Sequence, residues 1–522
     1  MCAVLPILRP VRARDNDQWG PIGLRVGRAG VREDGGMAKI PAARLSRLLT
    51  GWSAEGSGPL PRRLADALRE LAERADVAPG TTLPSQRELA LVLGVSRSTV
   101  TAAYSLLESE GWLESRRGSG SRLRGSGSLE RGVGEGRLAS FDARAGGAET
   151  AGEAASQGPA DLTSGALEGL GAVGDVVGAL SGADLAPLLR GDGYVPYGLP
   201  ALREGVAAYY RAAGVPTDAD QILVTSGSQQ AVWLVAQALV DPGDTVVVEN
   251  PTYRGALEAL RSRGARLVPV GGDRPGAGDD GSDAAAVRRL AASVRPRLVY
   301  LQPAVHNPTG RSLDDAALRR WAAALGEREL FTVEDTACAE LGLAGDGAPV
   351  PLAARLPSAS TITVGTLSKL FWGGLRVGWV RSSPQVVARL AKIKTSVDLS
   401  CPVVDQLVAV RLLGRLPEAR AARRAVLREQ RAGAEELLRR RAPRWEWDTP
   451  AGGPALWVRV PGADTEALAQ LARRRGVAVV PGSAFSAVDG FRDRLRLPYA
   501  HGVDVLERAL PTLLECAERS RA

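Results

Sequence analysis

The stretch Val364-Gly365-Thr366-Leu367-Ser368-Lys369-Leu370-Phe371-Trp372-Gly373-Gly374-Leu375-Arg376-Val377-Gly378 places one lysine just after an apolar, strand-like run. Lysines are scarce in this chain and arginines abundant, so a lysine set between hydroxyls and glycines is a poor fit to a generic surface charge. A primary amine can condense with an aldehyde, which a guanidinium cannot do. Thr366 and Arg376, on either side, can hold a phosphate by hydroxyl and by charge. A solvated lysine is the plain alternative, and the neighbouring segments weigh against it.

Upstream, Thr225-Ser226-Gly227-Ser228-Gln229-Gln230 follows a strand and opens a helix, which makes an anion site of backbone N–H groups and hydroxyls. Taken alone that turn is a weak signal. Glu249-Asn250-Pro251-Thr252-Tyr253 ends the next strand, and Tyr253 can stack on a flat ring. Asn307-Pro308-Thr309-Gly310 ends another, with Asn307 able to donate to a ring oxygen. Glu334-Asp335 ends a fourth, where a carboxylate can hold a protonated pyridine nitrogen and make the ring an electron sink. Loops at strand C-termini are where open α/β sheets bind ligands.

The strands expected are Ile222–Val224, Val246–Val248, Leu298–Leu301, Phe331–Val333 and Thr361–Val364, alternating with helix-period segments. This α/β block runs from 161 to 522. Residues 125–160 collapse to Gly, Ser, Ala, Glu and Arg and read as a flexible linker. Residues 57–124 carry short amphipathic helices followed by a Gly/Arg hairpin, and 1–56 form an N-terminal extension. The first 36 residues lack the apolar core of a signal peptide, and Met37 is a candidate start because amphipathic character begins there.

At 522 residues the chain must divide into domains. Cys2, Cys338, Cys401 and Cys516 lie far apart, without metal or disulfide spacing, which suits a reducing cytoplasm. His306 and His501, the chain's histidines, leave little scope for a His-based metal site or a Ser-His-Asp triad. No run is long and apolar enough to span a membrane. A net charge of +8 is compatible with a nucleic-acid partner but does not require one.

The lysine, aspartate, asparagine and phosphate-turn segments together resemble the fold-type-I pyridoxal-phosphate enzymes of the class I aminotransferase group, from about 161 to 518. The resemblance implies a mainly parallel large domain with a smaller C-terminal α+β subdomain and pyridoxal 5'-phosphate as cofactor. By it, Lys369 would be the catalytic lysine that forms the internal aldimine, and Asp335 would pair the pyridine nitrogen. Asn307 would contact the ring hydroxyl and Tyr253 would stack. Ser228, Gln229, Thr366 and Arg376 would hold the phosphate. Tyr194, in Tyr194-Val195-Pro196-Tyr197-Gly198, matches a tyrosine that reaches the neighbouring subunit's cofactor, which implies a homodimer. Arg496, in Arg494-Leu495-Arg496-Leu497, matches the arginine that clamps a substrate carboxylate. One departure stands out: Asp335-Thr336-Ala337-Cys338 lacks the tyrosine common in the family two or three residues after the aspartate. His306 reads as a packing or polar-contact residue.

In the N-terminal block, Leu64, Leu68 and Leu71 share one helix face. Ser85 and Glu88 make a capping box for a second helix, Gly94 can end it, and Ser96 can cap a third whose Val100, Tyr104 and Leu107 face inward. That is a helix–turn–helix presenting Arg97, Ser98 and Thr101 where major-groove contacts are made. Trp112–Arg124 reads as an arginine-rich wing suited to phosphates. The segments LPSQRELALVLGVSRSTVTAAYSLLESEGWL and RRGSGS strongly resemble the GntR-type winged helix. That resemblance implies double-stranded operator DNA as partner, contacted through Ser85, Arg87, Ser96, Arg97, Ser98, Thr99, Thr101, Tyr104, Arg116, Arg117, Gly118, Ser119 and Gly120.

The fusion resembles MocR/GabR-type transcription regulators. It implies a cytoplasmic regulator in which an amino-compound effector forms an external aldimine and shifts the domain between two states. An aminotransferase that carries a DNA-binding domain, or a sensor of pyridoxal phosphate itself, remain the alternatives.

Overall fold

The computed structural model describes residues 40–53, 58–73, 77, 81–109, 112–116, 120–123, 160–271, 282–327, 330–345 and 349–521. Two compact units divide the chain, residues 1–135 and 136–522. The candidate start at Met37 and most of the 125–160 linker lie outside the described residues.

The first unit contains α1 (Ala42–Leu48), α2 (Leu60–Glu73), α3 (Gln86–Leu93), α4 (Arg97–Ser109), β1 (Leu113–Arg116) and β2 (Gly120–Leu123). The capping box forms as the spacing predicts: Glu88 N–H donates to Ser85 Oγ at 3.2 Å, and Ser85 N–H donates to the Glu88 carboxylate at 3.0 Å. Gly94 ends α3 at φ 67°, a left-handed position suited to glycine. Leu64, Leu68, Leu71, Leu89, Val100 and Leu107 fill one core. Ile40, Leu45, Leu49 and Trp52 are buried in that same core. The domain therefore begins before residue 57, because α1 and the turn after it supply part of its apolar filling.

In the second unit seven strands form the large sheet: β4 (Ile222–Thr225), β5 (Thr245–Glu249), β6 (Arg266–Val270), β7 (Leu298–Leu301), β8 (Thr332–Asp335), β9 (Thr361–Thr366) and β10 (Gly378–Arg381). Their spatial order is β4-β10-β9-β8-β7-β5-β6, and β10 alone runs antiparallel. Helices cover both faces, so most strand positions are buried in unbroken runs rather than in alternation. Strand β8 runs on past the expected Phe331–Val333 through Glu334 and Asp335. The apolar run stops at Val333, but the buried Glu334 carboxylate accepts the N–H groups of Leu352 and Ala353, which lets a charged residue sit inside a sheet.

A second sheet orders β11 (Glu446–Trp447), β12 (Ala455–Arg459), β14 (Arg494–Pro498), β13 (Val477–Pro481) and β3 (Ala160–Leu162). It is the expected smaller α+β subdomain, with one correction. Its edge strand β3 comes from upstream of the large sheet and pairs parallel with β13, Ala160 opposite Val477, so the linker ends before residue 160.

Candidate functional site

Four elements bring the site together. Lys369 follows β9 on a turn fixed from within. The Thr366 hydroxyl donates to the Val377 carbonyl at 2.8 Å and accepts the Ser368 N–H at 3.1 Å. Lys369 lines a small cavity with Gly165, His306, Asn307, Cys338 and Arg496. Burial, the largest influence, pushes its ammonium pKa down, and the positive charges of Arg496 and Arg376 push the same way. A lysine so placed is biased toward the neutral amine, the form that attacks a carbonyl.

Asp335, at the end of β8, is buried and hydrogen-bonded only by neutral groups among the described residues. The Tyr300 hydroxyl from β7, the Ala337 N–H at 2.9 Å and the Gln302 amide at 3.4 Å donate to its oxygens. Burial raises its pKa, and those donors and the charge of Lys369 oppose the rise. A buried carboxylate held in this way is prepared for a cationic partner.

The phosphate end lies at the start of α5 (Ser228–Leu239). Gly227 has φ 83°, and a side chain there would meet the Arg376 guanidinium at 2.9 Å, so glycine lets the arginine close on the turn. Arg376 donates to the Ser226 carbonyl at 2.6 Å. The Tyr253 hydroxyl donates to Gln229 Oε1 at 2.7 Å, which ties the expected stacking residue to the expected phosphate turn. Arg496 is buried on β14. It donates to the Thr163 carbonyl, and its guanidinium lies 5.1 Å from the Phe485 ring centroid. Tyr194 is 60% exposed.

Sequence reasoning missed three contributors. Ser368 Oγ is buried without a hydrogen-bond partner, whereas the Thr366 hydroxyl is already occupied by the turn. Tyr300 supports Asp335 from the neighbouring strand. Cys338 stands where the family tyrosine was absent, and burial pushes its thiol up to about 11. His306 is buried and neutral, its Nδ1 2.8 Å from Thr309 Oγ1, in keeping with a polar-contact role. A larger cavity of about 320 Å³ lies around Pro303, Ser312, Leu318 and Glu340; it shares only Val305 with the lysine cavity, and the Glu340 carboxylate is held there by Arg420 and Tyr209.

In the first unit, Arg87, Arg97, Ser98 and Thr101 are exposed on the helix–turn–helix. Ser85 and Ser96 spend their hydroxyls on capping, with Thr99 N–H donating to Ser96 Oγ at 3.1 Å. Tyr104 departs from the DNA-contact set. It is 1% exposed and donates to the Pro84 carbonyl at 2.9 Å, so it braces α4 against the start of α3. Wing residues Arg117, Gly118 and Ser119 lie outside the described residues, as does the side chain of Arg116, while Gly120 opens β2.

A buried amine, a buried carboxylate, an orphan hydroxyl and an arginine closed over a glycine turn fit the aldehyde, pyridine nitrogen and phosphate of pyridoxal phosphate. The fold and site define a pyridoxal-phosphate domain joined to a DNA-binding winged helix. Residues 190–513 match the family "Aminotransferase class I and II", and residues 60–123 match "Bacterial regulatory proteins, gntR family". The chain belongs to the aminotransferase class I and II family and carries a gntR-type DNA-binding domain. It is 29% identical to the HTH-type transcriptional regulator YisV of Bacillus subtilis, over 90% of this chain and 99% of that protein. It is 31% identical to a protein described as "Probable rhizopine catabolism regulatory protein MocR" of Rhizobium meliloti, over 63% and 66% of the two chains. The crystal structure of LysN, an alpha-aminoadipate aminotransferase of Thermus thermophilus complexed with N-(5'-phosphopyridoxyl)-L-leucine, superposes with a TM-score of 0.60 at 31% identity. That match covers 70% of this chain and 96% of LysN.

Proposed function

We propose that this chain is a cytoplasmic, homodimeric transcription regulator that holds pyridoxal phosphate on Lys369 and changes its DNA binding when an amino compound takes the place of that lysine. The observation that carries the reading is the joining, in one chain, of a capped helix–turn–helix to a cavity where a deprotonation-prone lysine faces Arg496. Bound pyridoxal phosphate supplies an aldehyde for amine capture and a ring that accepts electron density. Around it, Asp335 fixes the ring nitrogen, the Gly227 turn and Arg376 receive the phosphate, and Arg496 selects an effector that carries a carboxylate.

Homodimerisation is supported by exposed apolar side chains: Leu189, Tyr194, Tyr197, Trp372 and Leu399 are all at least 40% exposed. The exposed Tyr194 is then the residue that reaches the cofactor of a second copy. A multiple-turnover aminotransferase is the competing reading, favoured by the presence of amine, carboxylate and clamp arginine together.

Borohydride reduction of the holoprotein followed by peptide mapping tests the cofactor site. The adduct is expected on Lys369, and Lys369→Ala should lose it while keeping its fold and basal DNA binding. Operator binding measured with and without a panel of amines tests the regulator. Oxo-acid release over many cycles, with footprints indifferent to every amine, would move the assignment to the enzyme.

A further inference from the structure

The turn that receives the phosphate is held from behind by a chain of part-buried polar groups that ends on a fully buried lysine. Ser226 N–H donates to Gln230 Oε1 at 2.7 Å, and Gln230 Nε2 donates to an Asp398 oxygen at 2.6 Å. The other Asp398 oxygen accepts from Lys394 Nζ at 2.7 Å. Lys394, on α6 (Pro384–Thr395), is 0% exposed. On the opposite side Arg376 holds the Ser226 carbonyl at 2.6 Å, so both ends of that residue's backbone are pinned by side chains.

A buried ammonium is costly unless paired, and this chain has few lysines to place, namely Lys39, Lys369, Lys392 and Lys394. As a surface i,i+4 pair, Lys394 and Asp398 would contribute little. Here their geometry has another consequence. A charged Asp398 oxygen orients the Gln230 amide, so its Nε2 must face the aspartate and its Oε1 must face Ser226. With Ser226 N–H drawn back to Gln230, the backbone leaves the turn in one direction, toward Gly227 and the first turn of α5.

We propose that Lys394, Asp398 and Gln230 form a positioning relay that sets the phosphate turn and so confers preference for a phosphorylated cofactor over its dephosphorylated form. The inference rests on the assignment of pyridoxal phosphate above. Lys394 neutralises Asp398, Asp398 orients Gln230, and Gln230 holds Ser226; none of the three needs to touch the ligand.

The test compares pyridoxal phosphate with pyridoxal, which has the aldehyde and ring but no phosphate. Apoprotein is titrated with each and followed by visible absorbance, and borohydride labelling of Lys369 is quantified at saturation. Gln230→Met keeps side-chain length but neither donates nor accepts strongly. It should weaken pyridoxal phosphate about tenfold, the worth of one buried hydrogen bond, while pyridoxal binding stays unchanged. Lys394→Met should act in the same direction, which provides a second route if Gln230→Met does not fold. Lys394→Met combined with Asp398→Asn removes both charges, keeps an acceptor for Gln230 Nε2 and should restore the preference. A role in folding alone would lower the melting temperature without changing the ratio of the two affinities. A folded Gln230→Met or Lys394→Met protein with the wild-type ratio overturns the relay. If the wild-type protein takes up neither aldehyde, the cofactor assignment fails, and the relay fails with it.

Discussion

Replacing Tyr300 by phenylalanine isolates one hydrogen bond at the heart of the site. The phenol ring is fully enclosed on β7, so phenylalanine fills the same space and only the hydroxyl is lost. That hydroxyl is one of three donors to Asp335 among the described residues, and the Gln302 amide at 3.4 Å is the longer of the other two. A hydrogen bond to a charged group contributes about 1.5–3 kcal/mol. The loss falls on ionised Asp335, because the protonated acid carries no charge for the phenol to stabilise. Burial already pushes this carboxyl's pKa up, and Tyr300 is the foremost group holding it down. A cofactor with a protonated ring nitrogen needs the ionised form, so the cost appears on cofactor binding. Pyridoxal-phosphate affinity should fall roughly 10- to 150-fold, while the melting temperature of the apoprotein changes less than that of the holoprotein. Titration of apoprotein by visible absorbance, alongside thermal unfolding of both forms, measures this. An affinity within twofold of wild type, in a folded variant, would refute the view that Tyr300 keeps Asp335 ready for a cation.

Arg97→Ala should weaken sequence-selective DNA binding by about 1–3 kcal/mol if the side chain reads a base, measured by footprinting against specific and random duplexes. Tyr104→Phe leaves the Pro84 carbonyl without its donor and should cost about 1–3 kcal/mol in the stability of the winged-helix unit, with unchanged selectivity once folded. His306 is held neutral by burial with its pKa lowered to about 3 from an ordinary 6.5, so the unfolded chain binds the proton first as pH falls. Its stabilising contribution is complete above pH 6.5 and declines toward pH 3 by about 1.4 kcal/mol per unit. His306→Gln should flatten the acid limb of denaturant midpoint against pH, and parallel limbs would count against a buried neutral imidazole.

What could be read from the sequence and what could not divide along the range of the interactions involved. The central strands announce themselves because both faces are covered, which demands runs such as Val246–Val248 with no polar break. The capping box at Ser85 is equally local, since both its hydrogen bonds close within three residues. Strand β3 escaped because three residues paired to Val477–Val479 carry no periodicity of their own, and the flanking Gly/Ser composition reads as linker. Tyr300 went unremarked for a similar reason: on a strand buried on both faces its aromatic ring passes as core, and only its neighbour β8 shows that its hydroxyl meets Asp335. Lys394 and Asp398 are the sharpest case. At i,i+4 they have the spacing of an ordinary surface ion pair, and nothing local distinguishes them from Arg508 and Asp504, which form one. Burial is the difference: Lys394 is wholly enclosed and Arg508 is not. With the ammonium enclosed, a charge pair that would contribute little in water can orient an amide and through it a backbone turn. Most of the residues expected to meet a ligand were named from motif and chemistry; those that hold them in place became visible only when the chain was folded.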